Sequence, residues 1–137
     1  MDKVHKMLEL ARVTSDDTVF DLGCGDGRVL ITAAKIYGAH AVGIEIDPLR
    51  FLFAWLMVLA SGQSRRVKIM FGNFFTKEIG GATVIVLFLY GPTNNRLKEK
   101  LRRELRPGTR IVSYVWEFEG WQMADSLPED TIYMYVI

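Results

Sequence analysis

Apolar and polar positions along this chain recur with two periods, and the switches between them divide it into strands and helices. Val4, Met7, Leu8 and Ala11 fall at helical spacing, so residues 2–12 predict a short amphipathic helix over one end of a sheet. The polar turn Thr14-Ser15-Asp16-Asp17 leads into the apolar run Thr18-Val19-Phe20, a first strand. A helical pattern follows from Arg28 to Lys35 and ends near Tyr37-Gly38, where Gly38 suits a left-handed cap. Ala41 to Ile46 is a continuous apolar strand interrupted by the acid Glu45, the pattern of a strand buried on both faces of a parallel sheet. Asp47-Pro48 then starts a helix, with Asp47 as N-cap and Pro48 at the first helical position.

From Phe51 to Ala60 that helix is apolar without a break, yet too short to cross a bilayer. Leu49, Leu52, Phe53, Leu56 and Ala60 form the stripe expected to face the sheet. Phe51, Trp55 and Val58 then lie on another side, which needs cover of its own. Two readings stay open for that side: packing inside a compact core, or contact with a second copy of the chain or an apolar partner.

Val67 to Phe71 is a third strand. Thr83 to Leu89 is the most apolar strand and is expected at the centre, beside the first. An amphipathic helix from Asn95 to Arg106, with Leu97, Leu101 and Leu105 inward, closes at Pro107-Gly108. Thr109 to Tyr114 is a fifth strand. Residues 123–125 and 131–136 flank a turn at 128–130 and read as a closing hairpin. The order predicts an α/β, Rossmann-like, doubly wound and mostly parallel sheet with a C-terminal antiparallel hairpin, residues 1–137 forming one domain.

Composition narrows the classes. A near-neutral net charge of +1 offers no overall field to recruit nucleic acid or anionic lipid. The lone cysteine, Cys24, excludes an internal disulfide and fits a reducing interior. The first residues lack an apolar secretory core, so a cytoplasmic location is expected, with no transmembrane segment. Two scattered histidines and one cysteine make no legible metal site, and no serine, histidine and acid suggest a hydrolase.

Between the first strand and its helix lies Asp21-Leu22-Gly23-Cys24-Gly25-Asp26-Gly27, where alternate glycines permit a sharp turn and the close approach of a flat ligand. A dinucleotide would set its pyrophosphate at the helix start, where Asp21 and Asp26 oppose an anion, and Arg28 stands where that fingerprint wants a third glycine. Two carboxylates instead suit a cation, such as the ammonium and sulfonium of S-adenosylmethionine (SAM). Glu45 sits eighteen residues past Gly27, near the offset at which nucleotide folds place an acid on the ribose hydroxyls, with Ile46 beside it. After the third strand, Asn73 is positioned for the adenine amino group and Phe74 or Phe75 for its ring. Beyond the central strand, Tyr90-Gly91-Pro92-Thr93-Asn94 lies where acceptors gather in such folds. It lacks the Asp/Asn-Pro-Pro-aromatic signature of many enzymes that methylate exocyclic base amines, which weakens a nucleic-acid reading. Trp116, Phe118 and Trp121 could cage an ammonium group or roof the core. The basic residues outward on the helix before Pro107 suit RNA phosphates or a solvated face with pairs such as Glu99 with Arg103.

Taken together, Asp21 to Arg28, Ala41 to Glu45, Gly72-Asn73-Phe74-Phe75, Glu104 to Ser113 and the tail Tyr133-Met134-Tyr135-Val136 resemble the class I SAM-dependent methyltransferases. The resemblance is nearest to the small archaeal protein-lysine methyltransferases of broad specificity. It extends more distantly to the mitochondrial enzymes acting on ATP-synthase c subunits and an adenine nucleotide carrier. It implies SAM as cofactor and a protein substrate presenting lysine, with a methyltransferase for RNA or a small molecule, or a SAM-binding module without turnover, as alternatives. On this reading Asp21 meets the methionine end, Gly23 and Gly25 allow backbone approach beside Asp26, Glu45 binds the ribose and Asn73 the adenine. Tyr90 and Trp116 take the acceptor side, in an apolar slot shared with Phe118. The archaeal enzymes carry a proline-rich segment before this point and a more charged second helix. The expectation is therefore a cofactor pocket left open at that end, or lidded by a partner.

Overall fold

The computed structural model describes residues 2–137; Met1 lies outside the described residues. Seven strands form one sheet: β1 (Thr18–Leu22), β2 (His40–Glu45), β3 (Val67–Phe71), β4 (Val84–Leu87), β5 (Arg110–Tyr114), β6 (Asp125–Leu127) and β7 (Ile132–Val136). Their order is β3-β2-β1-β4-β5-β7-β6, with β4 paired to β1 as its apolar sequence required. The first five run parallel, while β7 is antiparallel to both β5 and β6. A parallel neighbour needs a long crossover, whereas the reversal from β6 to β7 takes only a 3-10 turn at Pro128–Asp130, closed by Thr131 in the left-handed region.

Helices α1 (Lys3–Leu10), α2 (Arg28–Tyr37) and α3 (Pro48–Ser61) cover one face, and α4 (Gly91–Glu104) covers the other. The pleat sorts β1 between them: Val19 joins the core under α1 and α2, Phe20 and Leu22 join the core under α4. Asp21 therefore points to the same face as Val19, at the carboxyl end of the sheet.

Two sequence expectations change. Helix α4 begins at Gly91, four residues before Asn95, and β4 stops at Leu87. Proline suits a first helical turn, and Asn94 is fully buried with its amide donating to Ser113 Oγ, so residues 91–94 coil where a loop was expected.

The second correction concerns α3. Only Ala54 and Val58 are buried on it, while Leu49, Leu52, Phe53, Leu56 and Ala60, the stripe expected to face the sheet, are exposed. Contact distance decides this. Ala54 lies directly against Gly27, where an added Cβ would stand 3.5 Å from the alanine Cβ, and a leucine at that position would hold the helix off. Val58 is core, Phe51 is half-buried edge-on to Phe71 at 5.5 Å, and Trp55 is exposed, so the three do not form one contact face. Among the described residues no helix is long and apolar enough to cross a membrane.

Candidate functional site

The glycine turn is clamped to β2 at its root. The N–H groups of Gly23 and Cys24 donate to the Ile44 carbonyl at 2.8 and 3.1 Å, and Gly23, Gly25 and Gly27 all adopt positive φ, at 80°, 56° and 81°. Cys24 folds inward over Gly43, where a Cβ would come within 2.8 Å of Sγ and 2.4 Å of Leu30 Cδ1. Burial, with Asp21 and Glu45 nearby, pushes the Cys24 thiol up to about 12, which makes it a packing group rather than a nucleophile.

Glu45 is buried, and each of its oxygens is engaged by a loop. Oε1 accepts from the Gly25 N–H at 2.8 Å and Oε2 from the Asp47 N–H at 3.0 Å. A carboxylate oxygen has capacity for a second donor, so the same group can still accept from two hydroxyls. Asp47 itself caps α3, accepting from the N–H groups of Leu49 and Arg50.

Asp21 differs. It is 2% exposed, and its Oδ1 has no hydrogen-bond partner. Burial, followed by the negative charges of Glu45 and Asp26, holds its carboxyl well above the usual range. Asp21 lines a cavity of about 370 Å³ whose wall includes Gly23, Gly25, Val29 and Phe88. Leaving a buried acceptor unpaired costs about 1–3 kcal/mol, so the position is matched by a ligand carrying N–H donors and positive charge. A SAM ammonium fits that description. Asp26, also on the cavity, is exposed and already paired: Oδ1 accepts from the Arg28 N–H at 3.0 Å and Oδ2 lies 3.3 Å from its guanidinium. Of the two carboxylates expected to face a cation, only Asp21 is left uncompensated.

The cavity also has a wall that no motif announced. Asp2, Lys3 and Val4, at the start of α1, line it together with the glycine turn, so the chain's own first turn supplies part of the wall at the end expected to be open. Asp130 in the β6–β7 turn fixes that helix, accepting from Lys3 Nζ at 3.1 Å and Lys6 Nζ at 2.8 Å. Lys3 also stands 5.5 Å from the centre of the Tyr114 ring, which packs on Phe88.

Gly72 donates to the Glu45 carbonyl, and Asn73 follows, exposed, with Oδ1 accepting from the Phe75 N–H at 2.9 Å; its side-chain NH₂ remains available. Phe74 and Leu89 close on Gly23, where a Cβ would sit 3.8 and 3.6 Å from them. Phe75 lies instead beneath the Arg96 guanidinium, 4.5 Å from ring to cation. Ile46, directly after Glu45, is exposed.

On the side expected to take the acceptor, Tyr90 caps α4 and Trp116 lies across Gly91, whose added Cβ would be 3.1 Å from the indole. Both aromatic rings are substantially exposed. Phe118 does not join them. Val115 takes a φ of 75°, which turns the chain after β5 and sends Phe118 into the core under α4, stacked on Trp121 at 4.8 Å. Phe118 is therefore absent from the three-ring slot that was expected, and Tyr90 and Trp116 are the two of the three that stay exposed. Much of the basic face of α4 is also spoken for: Lys98 donates to the Glu119 carbonyl, Arg102 lies 5.3 Å from the Trp121 ring, and Arg103 pairs with Glu99 at 3.9 Å. No metal-binding group of side chains occurs among the described residues.

The model of the ANTKMT methyltransferase domain matches residues 21–125, from the orphaned aspartate to the start of β6. The chain belongs to this family. Its sheet order and antiparallel β7 are those of the class I methyltransferase fold. A protein-lysine N-methyltransferase of Saccharolobus islandicus is 45% identical, covering 98% of this chain and 88% of that relative. An ATP synthase C-subunit lysine N-methyltransferase of Rattus norvegicus is 28% identical over 98% of this methyltransferase, which spans 61% of the rat enzyme. Among solved structures, an RNA methyltransferase from Salinibacter ruber in complex with S-adenosyl-L-homocysteine matches with a TM-score of 0.93 and 39% identity, covering 100% of this chain and 92% of that one.

Proposed function

We propose that this enzyme transfers the methyl group of SAM to the ε-amine of a protein lysine. The observation that carries the cofactor assignment is Asp21, buried with an unpartnered oxygen and lining a cavity beside three left-handed glycines. The lysine assignment is supported by the archaeal relative and the family match.

Bound SAM supplies an electrophilic methyl group on sulfur. Asp21 receives the ammonium, Gly23 and Gly25 let the backbone lie against the ligand, and Glu45 accepts from the ribose hydroxyls with the capacity that Gly25 and Asp47 leave it. Asn73 offers its amide to the adenine and Phe74 its ring, with Ile46 at the edge. The lysine nitrogen attacks the methyl carbon in line with the carbon–sulfur bond, whose electron pair stays on sulfur to leave S-adenosylhomocysteine. The methylated ammonium then releases its proton to solvent. The attacking amine must be neutral, and a free lysine titrates near 10.4, so packing its stem against Tyr90 and Trp116 favours the reactive form by desolvation. Positioning and water exclusion carry most of the rate. We assign residues 1–137 to one catalytic domain acting in the cytoplasm, where Cys24 stays a thiol.

The Salinibacter structure is described as an RNA methyltransferase, which keeps RNA as the second reading. The engagement of Lys98, Arg102 and Arg103 within the chain favours protein, because phosphate contacts need free cations. Incubation with labelled SAM and either a lysine-rich protein or tRNA tests the choice. Label on protein lysine supports the proposal; label on tRNA alone replaces it; SAM binding by calorimetry with no turnover on either substrate reduces the chain to a binding module.

A further inference from the structure

The outward side of α3 takes no part in the cofactor site, and nothing among the described residues covers it. Leu49, Leu52, Phe53, Leu56 and Leu59 expose between 46% and 79% of their surfaces there, with Trp55 on the flank. A helix solvated on that side would carry charge, yet no residue from Phe51 to Ser61 does. The charge around the face is one-sided. Between Ile46 and Lys68 the only acid is Asp47, already spent on capping α3, against Arg50, Arg65, Arg66 and Lys68. Lys68 shares a surface groove with Trp55 and Leu59, so positive charge stands directly at the apolar edge. The near-neutral total, which argues against recruitment to anionic surfaces, conceals this local excess of +3 in a chain of +1.

We propose that the outward face of α3 seats this enzyme on an anionic lipid bilayer, with the leucines and Phe53 at the headgroup boundary and Arg50, Arg65 and Lys68 on lipid phosphates. An apolar helical stripe, an aromatic flank and basic margins are what an interfacial helix requires. A second copy on the same face would bring two positive margins together. The outer side of a single helix is convex, which suits a deformable surface better than a peptide that needs a groove. No described helix can span the bilayer, so the attachment is peripheral. The face begins at Ile46 and Leu49, directly after Glu45, which sets the ribose end of the cofactor site beside the membrane plane and within reach of lysines presented there.

Flotation of the whole chain with vesicles of phosphatidylcholine, and with vesicles containing roughly a third phosphatidylglycerol, tests this. The expected result is binding to the anionic vesicles at low salt, weakened by added salt, with a blue shift of tryptophan emission that Trp55→Phe removes. Leu52→Ser combined with Leu56→Ser is expected to lower partitioning by about tenfold, and Arg65→Gln or Lys68→Gln by roughly fivefold each. All four side chains are exposed, so unchanged melting temperatures exclude misfolding as the cause. Equal partitioning to both vesicle types, or none to either, overturns the proposal. So does a dimer in sedimentation equilibrium that the leucine variants dissociate while vesicles stay unbound.

Discussion

Gly25 donates its backbone N–H to Glu45 Oε1 at 2.8 Å, which ties the loop after β1 to the end of β2 and fixes the carboxylate between them. The same carboxylate anchors the start of α3 through Asp47, so one side chain ties together both loops that flank the proposed ribose position. Glu45→Gln keeps an acceptor for one of these N–H groups and turns a donor toward the other, whereas Glu45→Ala leaves both unpaired. Calorimetry is expected to show SAM binding weakened by about 1–3 kcal/mol in Glu45→Ala. Unchanged affinity in the alanine variant would remove Glu45 from the site.

Asp21 is held protonated more tightly in the folded chain than in the unfolded one, because burial and the charges of Glu45 and Asp26 raise its titration above the ordinary 3.8. The folded state then binds the extra proton, so stability falls as pH rises from the unfolded value to the folded one. Asp21→Asn removes that loss. Its ligand-free form is expected to melt higher than the native chain at pH 8, by an amount that shrinks toward pH 4, while SAM binding disappears. Thermal melts across pH with parallel calorimetry check both halves; a variant that still binds SAM contradicts the assigned role.

Cation binding at Asp21 must also displace that proton. SAM affinity of the native chain is expected to fall as pH drops below the raised ligand-free value, with proton release on binding in that range. Titrations in buffers of different ionisation enthalpy measure the release directly, and a heat independent of buffer across that range would argue against it.

Asp130 holds α1 through Lys3 and Lys6 from the opposite end of the chain. Asp130→Asn is expected to leave the sheet intact and loosen the first turn of α1, which walls the cavity. Hydrogen exchange should quicken at residues 3–6, and SAM binding should weaken by a few-fold.

Trp116 and Phe118 separate a site role from a packing role within three residues. Trp116→Ala is expected to lower kcat/KM for a lysine peptide without changing SAM affinity. Phe118→Ala, which empties a core position against Trp121 and Tyr135, is expected to cost about 3–5 kcal/mol of stability. A protein destabilised equally by both would mean that Trp116 is only a roof.

Much of this was readable from one dimension. Period and punctuation carry strands and helices because side chains return to one face every 3.6 residues in a helix and every two in a strand, and alternate glycines announce a tight turn because few other residues adopt positive φ. The apolar strand Thr83–Leu89 placed β4 at the centre, and the run Ala41–Ile46 gave β2 with Glu45 at its end. What three dimensions decided was which partners those residues meet. Periodicity finds a stripe on α3 but not its direction, since the close approach of Ala54 to Gly27 overrode the larger leucines. Nor could spacing distinguish Asp21 from Asp26: one is buried and unpaired, the other is paired with Arg28 in solvent. Contacts between residues 3 and 130, or 91 and 116, depend on the sheet having formed, because nothing local in the chain brings them together.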